Sequence, residues 1–149
     1  MKFDFARAMA RKDTIIKEFA DYRVQQLTDG SFKFIRAQAR FVDPHTLELG
    51  DGRKLTAKHF VIATGSHIAP TPLPPLRDVG YLTSDDVLKL STLPKSMIVL
   101  GGGAIGCEFA QFLSRFGTKI TLIQRSPHVL HDFDRDVAAE IEKVFRRES

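Results

Sequence analysis

The chain has 149 residues, 43% hydrophobic and 27% charged, with a formal net charge of +4. These are globular values and not those of a disordered tail. No apolar run is long enough to span a membrane and no export signal is visible, so a cytoplasmic setting with no membrane partner is expected. Basic residues are scattered apart from Arg146-Arg147, and no aromatic-plus-basic strip is present, so nucleic acid is not an expected partner. Cys107 is the only cysteine, which excludes an internal disulfide and a cysteine zinc site. His128 and His131 have no companions at metal-ligand spacing, so no metal site is expected.

Asp4 to Leu27 reads as one long helix. Phe5, Met9, Lys12, Ile16, Phe19 and Arg23 form one line, with Ile15, Tyr22 and Gln26 beside it, and no proline interrupts the run. Thr28-Asp29-Gly30 ends it with turn chemistry. The period then changes: Ile35, Ala37, Ala39 and Phe41 alternate with Arg36, Gln38 and Arg40, the pattern of a strand with one buried face. Asp43-Pro44 breaks that strand. Thr46 to Leu49 is a second strand, Gly50-Asp51-Gly52 a hairpin turn, and Arg53 to Ala57 a third strand, which makes a β-meander.

Phe60 to Ala63 is a near-continuous apolar run, as in a strand buried on both faces. It stops at Thr64-Gly65-Ser66. A glycine at the carboxyl end of such a strand lets a ligand or another backbone approach; an ordinary strand-ending turn fits equally well. Residues 67 to 80 form a proline-rich connector, stiffened by Pro70, Pro72, Pro74 and Pro75. Thr83-Ser84-Asp85-Asp86 then opens a short helix carrying Val87, Leu88 and Leu90, and Pro94 closes it. A domain boundary is expected between Pro70 and Pro94.

The most informative stretch follows. Met97 to Leu100 is apolar, Gly101-Gly102-Gly103-Ala104-Ile105-Gly106 comes next, and Ile105, Phe109, Phe112, Leu113 and Phe116 recur at helical spacing. The glycines therefore sit at a strand-to-helix turn. Gly101, Gly103 and Gly106 fit the G-x-G-x-x-G pattern: the first for the sharp turn, the second for approach of a pyrophosphate, the third for close helix packing. The helix start adds unpaired N–H groups and partial positive charge. A glycine-rich turn without a ligand would share the pattern. The surroundings favour nucleotide binding, because Gly117 suits the residue after the helix and a second strand, Lys119 to Ile123, follows at once. Gln124 then lies about 20 residues past the glycines, where a ribose-reading side chain belongs. Cys107 reads as a small core residue. Asp134 to Arg147 is a last helix with Val137, Ile141, Val144 and Phe145 inward. Two strands stand where a dinucleotide-binding half uses three, so apolar surface is left uncovered and the chain is expected to be a piece of something longer.

Taken together, the strand into Ala63-Thr64-Gly65-Ser66, the proline stretch, Thr83-Ser84-Asp85 with Leu93-Pro94, and the run from Ile98 to Glu108 resemble the flavin-dependent pyridine nucleotide-disulfide oxidoreductases, the family of dihydrolipoyl dehydrogenase, mercuric reductase and glutathione reductase. The resemblance covers almost the whole chain. It implies an α/β fold: the end of an FAD-binding Rossmann-like domain with its β-meander (residues 1–70), a linker with a short helix (71–94), and the first half of an NAD(P)-binding Rossmann domain (95–149). It implies that Ala63, Thr64 and Gly65 lie against FAD. It also implies that Gln38 and Ala39 meet the adenine, with Ala37 standing where the family often has glycine. Gly101, Gly103, Ala104, Ile105 and Gly106 would hold the nicotinamide dinucleotide. Glu108 matches a glutamate that pairs with a lysine beside the flavin; by its position alone it is a first-turn glutamate favoured by the helix dipole. Ala104 stands where some relatives carry a gating tyrosine, so no such gate operates here.

At the ribose, Gln124 is neutral and Arg125-Ser126 follow, with His131 as a further candidate. An arginine there accommodates a 2′-phosphate, so NADP is favoured over NAD. The implied function is hydride transfer from NAD(P)H to FAD and onward to a small-molecule or disulfide substrate, in a homodimer. The upstream FAD glycine motif, the redox cysteine pair and the dimerisation domain of that family have no counterpart in these residues, so no catalytic residue is expected in this segment and the chain alone is expected to be inactive. A related flavin NADH oxidase or dehydrogenase without a redox disulfide, or a non-catalytic nucleotide-binding module, remains open on the sequence.

Overall fold

The computed structural model describes residues 4–148. The elements in order are α1 (Phe5–Thr28), β1 (Ala39–Asp43), β2 (Thr46–Leu49), β3 (Lys54–Thr56), α2 (Pro75–Val79), α3 (Ser84–Val87), β4 (Ser96–Leu100), α4 (Ala104–Arg115), β5 (Lys119–Ile123) and α5 (Arg135–Glu148). The chain forms two compact units. One contains the residues through Ile15 together with those from Val79 onward; the other is Ile16–Asp78. The division falls inside α1.

In the unit Ile16–Asp78, β1, β2 and β3 make an antiparallel meander in that order. Ala39 pairs with Leu49 and Leu47 with Leu55, and the register shifts between Phe41 and Asp43. The turns are held by carboxylates. The His45 N–H donates to Asp43 Oδ1 at 2.7 Å and the Arg53 N–H to Asp51 Oδ1 at 3.0 Å. These backbone donors hold both carboxyls below the usual carboxylate range. Two expectations fail in this unit. The first strand starts at Ala39 and not at Ile35, and it has no buried face: every β1 residue is exposed, and Leu49 on β2 is the buried residue. Phe60–Ala63 is not a strand at all, and Val61 and Ile62 are 92% and 73% exposed. A buried strand needs hydrogen-bonded neighbours on its edges and a layer on each face. No described residue pairs with 60–63 in a ladder, and Phe60 meets Phe41 edge-on, 5.0 Å between ring centroids. The later turns of α1 are open too, with Ile16, Phe19 and Tyr22 exposed. α2 begins at Pro75, where the fixed φ of proline and its missing N–H suit a first helical turn; the proline content had suggested only a connector.

The other unit is built on β4 and β5, paired in parallel from Ser96↔Lys119 to Leu100↔Ile123. Both strands alternate. Met97, Val99, Ile120 and Leu122 are half-buried, while Ile98, Leu100 and Ile123 are exposed. α4 packs on the first set, with Leu113 fully buried. On one side of α4, Leu113 joins Phe5 of α1 and Val87 of α3, with Met97, Phe109 and Ile120 packed against them. Phe5 meets Phe116 edge-on at 5.6 Å. On the other side, Cys107 joins Val129, Leu130 and Ala138, with Leu122, Ile141 and Phe145 against them. In α5 the buried residue is thus Ala138. Val137, expected inward, is exposed, because the 3.6-residue period places the inner stripe at 138, 141 and 145.

The ends of these elements are chemically closed. α3 has a reciprocal capping box between Thr83 and Asp86. α4 ends in a Schellman turn: Gly117 N–H donates to the Ser114 carbonyl and Thr118 N–H to the Leu113 carbonyl, with Gly117 at φ 103°. Arg115 of α4 donates twice to Glu148 of α5, at 3.0 and 2.7 Å, and this fork lowers the Glu148 carboxyl below its ordinary range.

Candidate nucleotide-binding turn

Gly101 continues the β4–β5 ladder by donating its N–H to the Ile123 carbonyl at 2.9 Å, and its φ of 107° turns the chain sharply away from the sheet. α4 starts three residues later. Gly106, in its first turn, crosses directly over the strand end: a Cβ at this position would lie 2.0 Å from the Gly101 carbonyl oxygen. Only glycine permits that approach. Gly103 is the N-cap and offers no side-chain cap, and a Cβ there would meet nothing within 4 Å. The backbone N–H groups of Ala104, Ile105 and Gly106 have no acceptor among the described residues. Three aligned donors with adjoining open space form the arrangement that accepts a phosphate at a helix start.

The segment after β5 folds back on this turn. Gln124 Oε1 accepts the Gly102 N–H at 3.0 Å. The Leu130 N–H donates to the Gly102 carbonyl at 2.6 Å, and the Cys107 thiol lies 3.5 Å from the same oxygen. The Val129 N–H donates to Glu142 Oε1 of α5 at 3.2 Å. A Cβ on Gly102 would come within 3.0 Å of Val129 Cγ1. Gly102, Val129 and Leu130 are not singled out by the sequence; the one signal is the extra glycine in the middle of the Gly-Gly-Gly run, and that residue is the one clamped. Burial, and then the nearby Glu108 charge, push the Cys107 thiol up, which keeps it a neutral core group.

The structure therefore gathers Gly101, Gly103, Ala104, Ile105, Gly106 and Gln124 at one strand end. Arg125 is exposed and Ser126 half-exposed beside them, and neither has a hydrogen-bond or ion-pair partner among the described residues. His131 is engaged with its neighbour, Nε2 lying 3.0 Å from Asp132 Oδ1. Glu108 is exposed on α4 and lines a groove with Met9, Lys12, Val87 and Phe109. It has no ion pair among the described residues. Lys12 turns instead to Asp13, at 2.7 Å, and to the Leu88 carbonyl. In the other unit, the Gln38 carbonyl accepts the Gly50 N–H at 2.9 Å and Ala39 opens β1. Ala63, Thr64 and Gly65 lie in the exposed segment without regular structure, and no hydrogen bond joins them to Gln38 or Ala39. No group of three or more metal-ligating side chains is present among the described residues, and no described helix is long and apolar enough to cross a membrane.

Comparison with known proteins gives a consistent answer. A mercuric reductase of Lysinibacillus sphaericus is 37% identical over 142 residues, covering 95% of this chain and 26% of its own length. A dihydrolipoyl dehydrogenase of Geobacillus stearothermophilus is 32% identical over 148 residues, covering 97% of this chain and 31% of its own. Among solved structures, the copper(II) complex of the HOCl-induced flavoprotein disulfide reductase RclA from Escherichia coli superposes with a TM-score of 0.85 at 30% identity, over 98% of this chain and 34% of that one. The chain thus spans roughly a quarter to a third of the proteins it matches. The family described as pyridine nucleotide-disulphide oxidoreductase, whose enzymes use FAD with NAD(P)H, matches residues 4–149. This chain belongs to the pyridine nucleotide-disulfide oxidoreductase family.

Proposed function

We propose that this chain supplies the nicotinamide-nucleotide turn, and part of the flavin-side wall, of an enzyme that passes hydride from NADPH to FAD and electrons onward to a disulfide or similar small acceptor. The observation that carries the reading is the turn at Gly101–Gly106, where a forbidden Cβ at Gly106 brings α4 over the strand end and leaves three amide donors unclaimed. Those donors fit a pyrophosphate, and Gly103 leaves the backbone bare for it. Unpartnered Arg125 and Ser126 suit a 2′-phosphate, which favours NADPH over NADH. Bound FAD would supply the two-electron relay. Residues 1–70 act as the later part of the FAD domain, 71–94 as the linker and 95–149 as the first half of the NAD(P) domain. Gln38 and Ala39 face the adenine and Ala63, Thr64 and Gly65 face the flavin nucleotide, while Glu108 serves the lysine beside the flavin. Cys107 takes no part in the relay, since its thiol is neutral and turned to the Gly102 carbonyl. The complete protein works as a cytoplasmic homodimer.

The test is nucleotide titration of the complete protein. Arg125→Ala is expected to weaken NADPH binding about tenfold more than NADH binding, the scale of one hydrogen bond to a charged group. Equal losses would remove Arg125 from the 2′-phosphate role. The isolated 149 residues, given FAD and a disulfide, are expected to show no multiple turnover of NADPH; sustained turnover would overturn the assignment of the thiol chemistry to other parts of the protein.

A further inference from the structure

Leu130 is the only described residue other than glycine with a positive φ, 53°. A residue with a Cβ adopts that left-handed backbone at a cost and keeps it only where its surroundings hold it there. Three bonds hold this one. The Leu130 N–H donates to the Gly102 carbonyl at 2.6 Å, and the Phe133 N–H donates to the Leu130 carbonyl at 2.8 Å. One residue earlier, the Val129 N–H donates to Glu142 Oε1 of α5 at 3.2 Å. The Val129 and Leu130 side chains are buried beside Cys107 and Ala138. Glu142 is half-buried and itself held: its Oε2 accepts from Arg146 Nη2 at 2.9 Å, one turn along α5, which leaves Oε1 to Val129. Two successive N–H groups thus serve different elements, Val129 tied to α5 and Leu130 tied to the glycine turn.

The Leu130 bond decides the direction of a peptide plane. In a trans peptide the C=O and N–H point opposite ways, and no cis peptide bond occurs among the described residues. Holding the Gly102 carbonyl toward Leu130 therefore aims the Gly103 N–H away from residues 129–130. That N–H has no acceptor among the described residues. It stands at the N-cap of α4, next to the unclaimed donors of Ala104, Ile105 and Gly106. Glycine at both 102 and 103 would otherwise leave this plane free to rotate.

We propose that Glu142 is a positioning residue for dinucleotide binding: by holding the Val129 N–H it keeps Leu130 in its left-handed turn, and Leu130 fixes the Gly102–Gly103 peptide so that the Gly103 N–H joins the donors that meet the pyrophosphate. Glu142 touches no ligand; it acts through two residues of backbone. Without it, the left-handed turn loses one of its three ties, and the plane at Gly102 must be ordered at the moment of binding. Because the pyrophosphate is common to both nicotinamide nucleotides, the effect falls equally on NADPH and NADH. A carboxylate that only tied α5 down would stabilise the fold and leave binding untouched. The inference rests on the reading of Gly101–Gly106 as a dinucleotide site and assigns a part of α5 to it.

The experiment is calorimetric titration of the complete protein with NADPH and with NADH. Glu142→Leu removes the acceptor for Val129 and is expected to weaken both nucleotides alike, by about 5- to 10-fold, the scale of one net hydrogen bond. Glu142→Gln keeps an oxygen for Val129 and drops the charge; it is expected to bind both within about twofold of the native protein. Thr83→Ala, which loosens the α3 cap and touches no part of the turn, should lower the unfolding midpoint and leave binding unchanged. If Glu142→Leu does not fold, Glu142→Asp makes the same comparison: it keeps the charge but falls one methylene short of Val129, and should bind both nucleotides more weakly than Glu142→Gln. Unchanged binding by Glu142→Leu with a lower unfolding midpoint would overturn the proposal and leave Glu142 as a tie for α5. So would equal losses in the Gln and Leu variants, or a loss confined to NADPH. Binding of neither nucleotide by the unsubstituted protein would sink the dinucleotide reading itself, and this inference with it.

Discussion

Met97–Leu100 and Phe60–Ala63 are alike in composition, and each runs into a glycine turn with positive φ, at Gly101 and Gly65. The first is a strand with an α-helix folded over it; the second is an exposed segment with no regular structure. The difference lies in what each can pair with. β4 has β5 alongside, five residues in parallel register, and α4 on one face. The 60–63 run has no strand on either edge among the described residues. Apolar content makes a segment eligible for burial, but backbone hydrogen-bond partners decide whether it becomes a strand. The same contrast holds within the β4–β5 sheet, where the α4 side is covered while Ile98, Leu100 and Ile123 on the other face are open.

The comparison can be broken or sharpened by substitution. The largest effect is expected at Gly106→Val, whose Cβ would overlap the Gly101 carbonyl at 2.0 Å; a loss of about 3 kcal/mol or more in denaturant unfolding is expected. A stable variant with an unshifted midpoint would mean that α4 does not cross the strand end so closely. Leu113→Ala, at the fully buried centre of the covered face, should cost about 3 kcal/mol in the same assay. Thr83→Ala removes one arm of the α3 capping box and should cost about 1 kcal/mol. Ile62→Thr, in the unpartnered run, should change stability by less than about 0.5 kcal/mol, as exposed substitutions do. A loss comparable to that at Leu113 in the complete protein would show that residues outside this chain cover the run.

A smaller effect is expected from pH. The Thr83 hydroxyl, then its backbone N–H, stabilise the ionised Asp86 carboxyl and hold its pKa below the ordinary value. A depressed folded-state pKa contributes stability above the unfolded pKa, and that contribution is lost as pH falls through the folded value. Unfolding midpoints of the native chain and Asp86→Asn should therefore converge on acidification through and below the carboxylate range. A constant gap down to the lowest pH would remove the charge from the capping box.

Much of the local structure was legible in the residues. The long first helix, the Thr46–Leu49 hairpin strand, the Thr83 helix start, the Gly117 helix end and the strand–turn–helix–strand order around the glycines each depend on interactions within a few residues. The turn was readable because its geometry is a property of glycine, which is also why Gly106 could be named in advance. The failures are non-local. The β1 face and the 60–63 run needed covering layers that the described residues do not provide, and Val137 lost its inward place to Ala138 by a one-residue shift in helix phase.

Sequence by itself determined the family, the glycine turn and the residues gathered at its strand end, because spacing along the chain dictates them. Tertiary structure decided what those residues do there. The clamp of Gly102 by Gln124 and Leu130 joins positions more than 20 residues apart, and it turns a neutral ribose candidate into an oriented amide. No periodicity encodes such a contact. It exists because a backbone N–H at the buried end of a strand needs an acceptor, and the chain returning from β5 brings one within reach.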